Sequence, residues 1–112
     1  MDIIKTLRKV TILAELDDAE LQGLASECRI KYLHTGQRLY QAHDPAHHVY
    51  IIVYGRLKLT STTGLSTYLG HHEIIGEMGV ISEHPHHGTV HAIRDTALLT
   101  IPQQQFIDFI YK

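Results

Sequence analysis

Gly76 and Glu77 stand side by side in the run Ile75-Gly76-Glu77-Met78-Gly79-Val80, and His86, His87 and Gly88 follow nine to eleven positions after the glutamate. These residue types suit one kind of chemistry. A carboxylate accepts hydrogen bonds from hydroxyl groups, and a glycine beside it lets backbone approach a ligand closely. A short apolar turn such as Met78-Gly79-Val80 can aim its free N–H groups at an anion. His86 adds a titratable donor. An unperturbed imidazole, with a pKa of about 6.5, is mostly neutral at pH 7, and a nearby phosphate would favour its protonation. The stretch therefore reads as a compact anion cradle set into β structure.

Other chemistries are less well served. Ten histidines are many for 112 residues, and several are adjacent: His47-His48, His71-His72 and His84-Pro85-His86-His87. The spacing of His84, His86 and His87 could bring two imidazoles to one metal, with His71, His72 and Glu73 as further donors. A metal site needs three or four convergent ligands and supporting partners, and loop histidines are more often solvated. The expectation is no metal and no resident cofactor. A cupin-type centre, with His-x-His on one strand and a Glu shortly after, is not indicated: His43 is followed by Asp44-Pro45-Ala46, and the run Val49 to Tyr54 carries no acid. No Ser/His/Asp set and no nucleotide-hydrolysing phosphate loop is present, so catalysis is not expected of this chain.

The elements that must position the cradle follow from periodicity. Ile3, Ile4, Leu7 and Val10 recur at helical spacing. Asp17 and Glu20 form a capping-box pattern ahead of Leu21, Leu24, Ala25 and Cys28. From Arg29 the period becomes strand-like, with Ile30 and Tyr32 alternating with polar neighbours. Val49 to Tyr54 is a dense β-branched and aromatic run, Arg56 to Ser61 alternates, and Thr63-Gly64 turns it back toward Leu69. Thr89 to Ala92 and Ala97 to Ile101 add two strands. Pro102 is expected in the first turn of a closing helix carrying Phe106, Ile107, Phe109 and Ile110. About eight short strands, with helices only at the ends, predict a mainly β jelly roll rather than a parallel βαβ sheet.

Length and composition bound the rest. The 112 residues suffice for one core, hydrophobic content is 44% and charged content 20%. A single cysteine excludes an internal disulfide framework. The formal net charge is −2, and Lys and Arg are scattered without a basic run. By charge alone, then, neither nucleic acid nor an anionic membrane is an expected partner. No apolar run is long enough to span a bilayer, and the first residues lack the pattern of a secretory signal, so a cytoplasmic setting is expected.

The pattern resembles the cyclic nucleotide-binding domain family nearly end to end. Leu16-Asp17-Asp18-Ala19-Glu20-Leu21, Gly36, Asp44-Pro45, Val49-Tyr50-Ile51-Ile52, Gly55-Arg56-Leu57, Tyr68-Leu69-Gly70, Ile75 to Gly79, Arg94 to Leu99 and Ile101-Pro102 follow in family order. The resemblance implies that Glu77 accepts a hydrogen bond from the ribose 2′-hydroxyl, that Gly76 admits the sugar, and that Met78, Gly79 and Val80 form the turn facing the cyclic phosphate. It places His86 where the family carries a phosphate-pairing arginine, His87 and Gly88 at the small positions after it, and Thr89 at the strand start. The base would rest on Leu59 and Thr67.

By this resemblance the chain is one domain: helices over about 2–28, a β-roll over about 29–101 and a helix over about 102–112, within a larger protein. It would sense cyclic AMP or cyclic GMP and move its terminal helices against an attached effector. The family is joined to channels, transporters, kinases and lipid hydrolases, and a homodimer is compatible with it. The alternative is a degenerate domain that binds no cyclic nucleotide and serves as an interaction module.

Overall fold

The computed structural model describes residues 2–76, 86 and 88–110. Asp2 accepts from the Lys5 N–H and caps α1 (Ile3–Arg8). A 3-10 turn over Thr11–Leu13 follows. The predicted capping box opens α2 (Asp18–Glu27), with Asp17 accepting from the Glu20 N–H and Glu20 from the Asp17 N–H. The strands are β1 (Arg29–Leu33), β2 (Arg38–Tyr40), β3 (His48–Tyr54), β4 (Leu57–Ser61), β5 (Ser66–Leu69), β6 (Ile74–Ile75), β7 (Gly88–Ala92) and β8 (Thr96–Pro102), and α3 (Gln103–Ile110) closes the described chain.

The strands form two antiparallel four-stranded sheets, ordered β1-β8-β3-β6 and β2-β7-β4-β5. This is the jelly roll expected from the sequence. The first sheet is covered on both faces. Val49, Ile51, Leu99 and Ile101 pack outward against Leu7, Leu21, Leu24 and Phe106 of the helices. Ile52 and Leu98 point inward and meet Leu57, Val90 and Ala92 of the second sheet. Double coverage explains why β3 and β8 read as continuous apolar runs, whereas β4 alternates. Among the described residues, the outer face of the second sheet has no such cover: Ser66 and Tyr68 are exposed and Lys58, Thr60 and His91 half-buried.

One local expectation is corrected. Pro102 is the last residue of β8, opposite His48, and α3 starts one residue later. The break falls there because the strand pairing continues to Pro102 before the Gln103 N–H bonds to the His47 carbonyl at 2.9 Å. In β1 the residue that enters the core is Leu33, while Ile30 and Tyr32 remain 42% and 62% exposed. β1 is an edge strand of its sheet, so alternation alone does not tell which of its faces is covered. Among the described residues, no helix is long and apolar enough to cross a membrane.

Candidate functional site

The loop between β2 and β3 builds one wall of the site. The Asp44 side chain accepts from the Gln41 N–H at 3.0 Å and the Asp44 N–H donates to the Gln41 carbonyl at 3.1 Å, closing a tight turn. That turn pairs with the segment before β7. The His86 N–H donates to the Asp44 carbonyl at 3.0 Å, and the His86 carbonyl accepts from the His43 N–H at 2.9 Å. One step along, the Thr89 hydroxyl accepts from the Ala42 N–H at 3.1 Å. So the polar side chain expected at the strand start fastens the loop to β7.

His86 is 5% exposed. It departs from the expectation that the histidines of this stretch are solvated, because its backbone is held on both sides and its ring is stacked on a tyrosine. The imidazole lies on the Tyr40 ring with centroids 3.6 Å apart. On another side is Gly76, where an added Cβ would stand 3.6 Å from His86 Cε1, 3.6 Å from Tyr50 Cδ2 and 3.1 Å from the His48 carbonyl oxygen. Gly76 has φ +89°, which glycine adopts freely. The two ends of the predicted cradle thus meet in space, although ten positions separate them.

Gly88 is fixed by packing. A Cβ there would lie 2.7 Å from the Thr60 carbonyl oxygen and 2.8 Å from Leu59 Cδ1, so β7 and β4 approach closely only because the residue is glycine. Leu59 and Thr67 are cross-strand partners in the β4–β5 hairpin; Leu59 is half-buried and Thr67 exposed. They form one patch of the second sheet, as a base-supporting surface would need. Glu77, Met78, Gly79, Val80 and His87, with His84 of the metal reading, lie outside the described residues. Among the described residues, no three His, Cys, Asp or Glu side chains converge as metal ligands.

Sequence reasoning missed the aromatic wall. Tyr40 and Tyr50 are 6.2 Å apart between centroids, and His48 is 6.2 Å from Tyr50. His86, Tyr40, Tyr50 and His48 make a chain of rings from one sheet to the other. An open cavity of about 250 Å³ adjoins its far end, lined by Lys31, His48, Tyr50 and Thr100. Burial, then the neighbouring His47 and Lys31, push His48 below the usual imidazole range, and burial raises the Tyr50 phenol. The available signal was parity: with Ile52 facing inward, Tyr50 and His48 must face the same way.

Comparison with known proteins agrees with this architecture. The cyclic nucleotide-binding domain family model matches residues 30–112. An uncharacterized NTE family protein of Mycobacterium tuberculosis is 31% identical over 110 residues, which cover 97% of this chain and 19% of that protein. A lysophospholipase, NTE1, of Chaetomium globosum is 34% identical over 79 residues, 66% of this chain and 5% of that protein. The chain therefore spans a fifth or less of the length of these relatives. Among solved structures, a regulatory subunit of a cAMP-independent protein kinase A from Trypanosoma brucei superposes with a TM-score of 0.90 at 18% identity, over 96% of this chain and 40% of that one. The corresponding Trypanosoma cruzi subunit, bound to guanosine, gives 0.87 at 20% identity over the same shares. The match over most of its length, on a two-sheet roll with flanking helices, shows that the chain belongs to the cyclic nucleotide-binding domain family.

Proposed function

We propose that this domain senses a cyclic nucleotide and passes its binding to an effector elsewhere in a longer protein. The observation that carries the reading is the convergence of Gly76 and His86 at one point of the roll. A ligand whose ribose met Glu77 and whose cyclic phosphate met the 78–80 turn would bring its charge beside this imidazole. Leu59 and Thr67 would support the base. No fixed cation stands at position 86, so affinity would be modest and would rise as the imidazole gains a proton.

A route to the effector is supported by the same geometry. The His48 carbonyl abuts Gly76, and the preceding residue, His47, accepts the hydrogen bond that starts α3. α3 in turn buries Phe106 among Leu7, Leu21 and Leu24. A ligand that displaces Gly76 would act on the anchor of a helix whose Phe106 shares one core with both leading helices. Its effect is limited to its preference between the two helix arrangements. The lysophospholipase relatives make a lipid hydrolase the proposed effector.

A second reading has its own support. The T. cruzi neighbour is bound to guanosine, which has no phosphate. A stacked imidazole in place of an arginine suits such an uncharged nucleoside. Isothermal titration with cyclic AMP, cyclic GMP and guanosine at pH 6 and pH 7.5 separates the readings. Cyclic nucleotide binding that tightens at pH 6 is expected. Guanosine binding alone, indifferent to pH, would replace the first reading with the second. No heat with any of the three would leave an interaction module and overturn both.

A further inference from the structure

The scattered Lys and Arg residues do not stay scattered in the fold. On the outer face of the second sheet, Arg38 pairs with His91, His91 with Lys58, and Lys58 with Tyr68, one residue from each of β2, β7, β4 and β5. Partners in register project to the same side, so the four form a transverse row about 15 Å long, at a strand spacing of roughly 4.8 Å. Arg56, immediately before β4, joins it: its guanidinium carbon lies 4.9 Å from the Tyr68 ring centre and the Lys58 ammonium 5.9 Å.

None of these four strands contains an Asp or Glu. Six of the twelve acidic residues lie within residues 2–27, in the segment that packs against the other sheet. The cations of the row are not directly opposite one another: His91 stands between Arg38 and Lys58, and Lys58 faces Tyr68 on its other side. The ion pair found among the described residues, Arg8 with Asp18, is elsewhere. The whole-chain charge of −2 does not reveal this segregation: the acids of the leading helices and the cations of the sheet face offset one another in the sum.

We propose that this face docks on an anionic phospholipid surface. Charge complementarity asks for an anionic partner, and two further features choose among anionic partners. The face is the outer side of a four-stranded antiparallel sheet. Its cations also stand over an exposed ring: Tyr68, under Arg56 and Lys58, is 48% exposed, and Leu65, in the β4–β5 turn three residues before it, is 73% exposed. Cations beside an amphipathic ring and an aliphatic tip match the headgroup region of a bilayer, where such rings sit and short apolar groups insert. A row of cations alone would serve phosphates or carboxylates in water equally well. Each Lys or Arg near an anionic leaflet strengthens association about fivefold, so Arg38, Arg56 and Lys58 together supply roughly a hundredfold. The contact falls off beyond about 8 Å at physiological ionic strength.

The test is co-sedimentation of the 112-residue chain with vesicles of phosphatidylcholine, with and without phosphatidylserine, at low and physiological salt. Binding to the phosphatidylserine vesicles, weakened by salt, is expected. The triple variant Arg38→Gln, Arg56→Gln, Lys58→Gln should lose roughly a hundredfold. A control with Lys5→Gln, Lys9→Gln and Arg29→Gln, equal in net charge, should stay within a few fold. Leu65→Ser should weaken vesicle binding and leave binding to polyglutamate unchanged. Should the first triple variant misfold by circular dichroism, Lys58→Gln alone carries the test, with about a fivefold loss expected. Equal loss in both triple variants, or no sedimentation at low salt, overturns the proposal. Row-dependent binding to polyglutamate with none to vesicles overturns it in favour of an acidic protein partner.

Discussion

The imidazole of His86 lies face to face with the ring of Tyr40, with centroids 3.6 Å apart and planes 10° from parallel. Tyr40 ends β2 and His86 precedes β7, so the stack ties the strand to the segment that would face a ligand phosphate. The stack should carry stability of its own. Tyr40→Leu keeps an apolar side chain and removes the ring, and should cost about 1 kcal/mol, the usual worth of an aromatic pair beyond its buried area. Urea unfolding measures it; an unchanged midpoint would mean the rings are merely adjacent.

His86→Arg restores the fork of donors implied by the family at this position. A guanidinium can keep the stack on Tyr40 while reaching a phosphate. A hydrogen bond to a charged group contributes about 1.5–3 kcal/mol, so affinity for cyclic AMP should rise roughly ten- to a hundredfold at pH 7.5. Calorimetric titration of the variant against the parent protein checks it. Equal affinities would show that no phosphate comes near position 86.

Gly88→Ala should destabilise the roll whatever the ligand. The new Cβ would meet the Thr60 carbonyl oxygen at 2.7 Å, and backbone cannot move aside as a side-chain end can. Forcing β4 and β7 apart should cost about 1–3 kcal/mol, as overpacking usually does. A thermal melt reads this directly. A variant as stable as its parent would return Gly88 to a purely ligand-related role.

Asp95 gives the fold an acid-sensitive contact. Its carboxylate accepts from the Thr35 N–H at 2.9 Å and from the Thr35 hydroxyl at 3.1 Å. The backbone bond first, and the hydroxyl bond second, hold its pKa below the ordinary 3.8. A depressed folded pKa stabilises the protein fully above the unfolded value and is lost as pH falls through the folded one. Asp95→Asn should therefore melt earlier than the parent at pH 7, and the two curves should converge as pH drops below about 3.8. A gap that persists at low pH would assign the loss to something other than the carboxylate charge.

Much of the architecture was legible because its signals are local. Asp17 and Glu20 cap α2 as their spacing requires, and the β-branched run from Val49 became the strand that both cores share. Boundaries and faces were less legible. Pro102 fits a helix start by its fixed φ, yet the pairing of β8 with β3 holds it in a strand. Ile30 and Tyr32 alternate with polar neighbours as a strand requires, but alternation did not say which face of β1, an edge strand, would be covered.

The sequence by itself determined the family, because motif order and hydrophobic period are properties of neighbouring residues. It also showed that position 86 carries an imidazole in place of a guanidinium. Only the tertiary structure decided that this imidazole is buried against Tyr40 and meets Gly76. It alone gathered Arg38, His91, Lys58 and Arg56 from separate stretches onto one face. The physical reason is sheet register: cross-strand pairing joins residues distant in sequence, and no local propensity encodes which ones will meet.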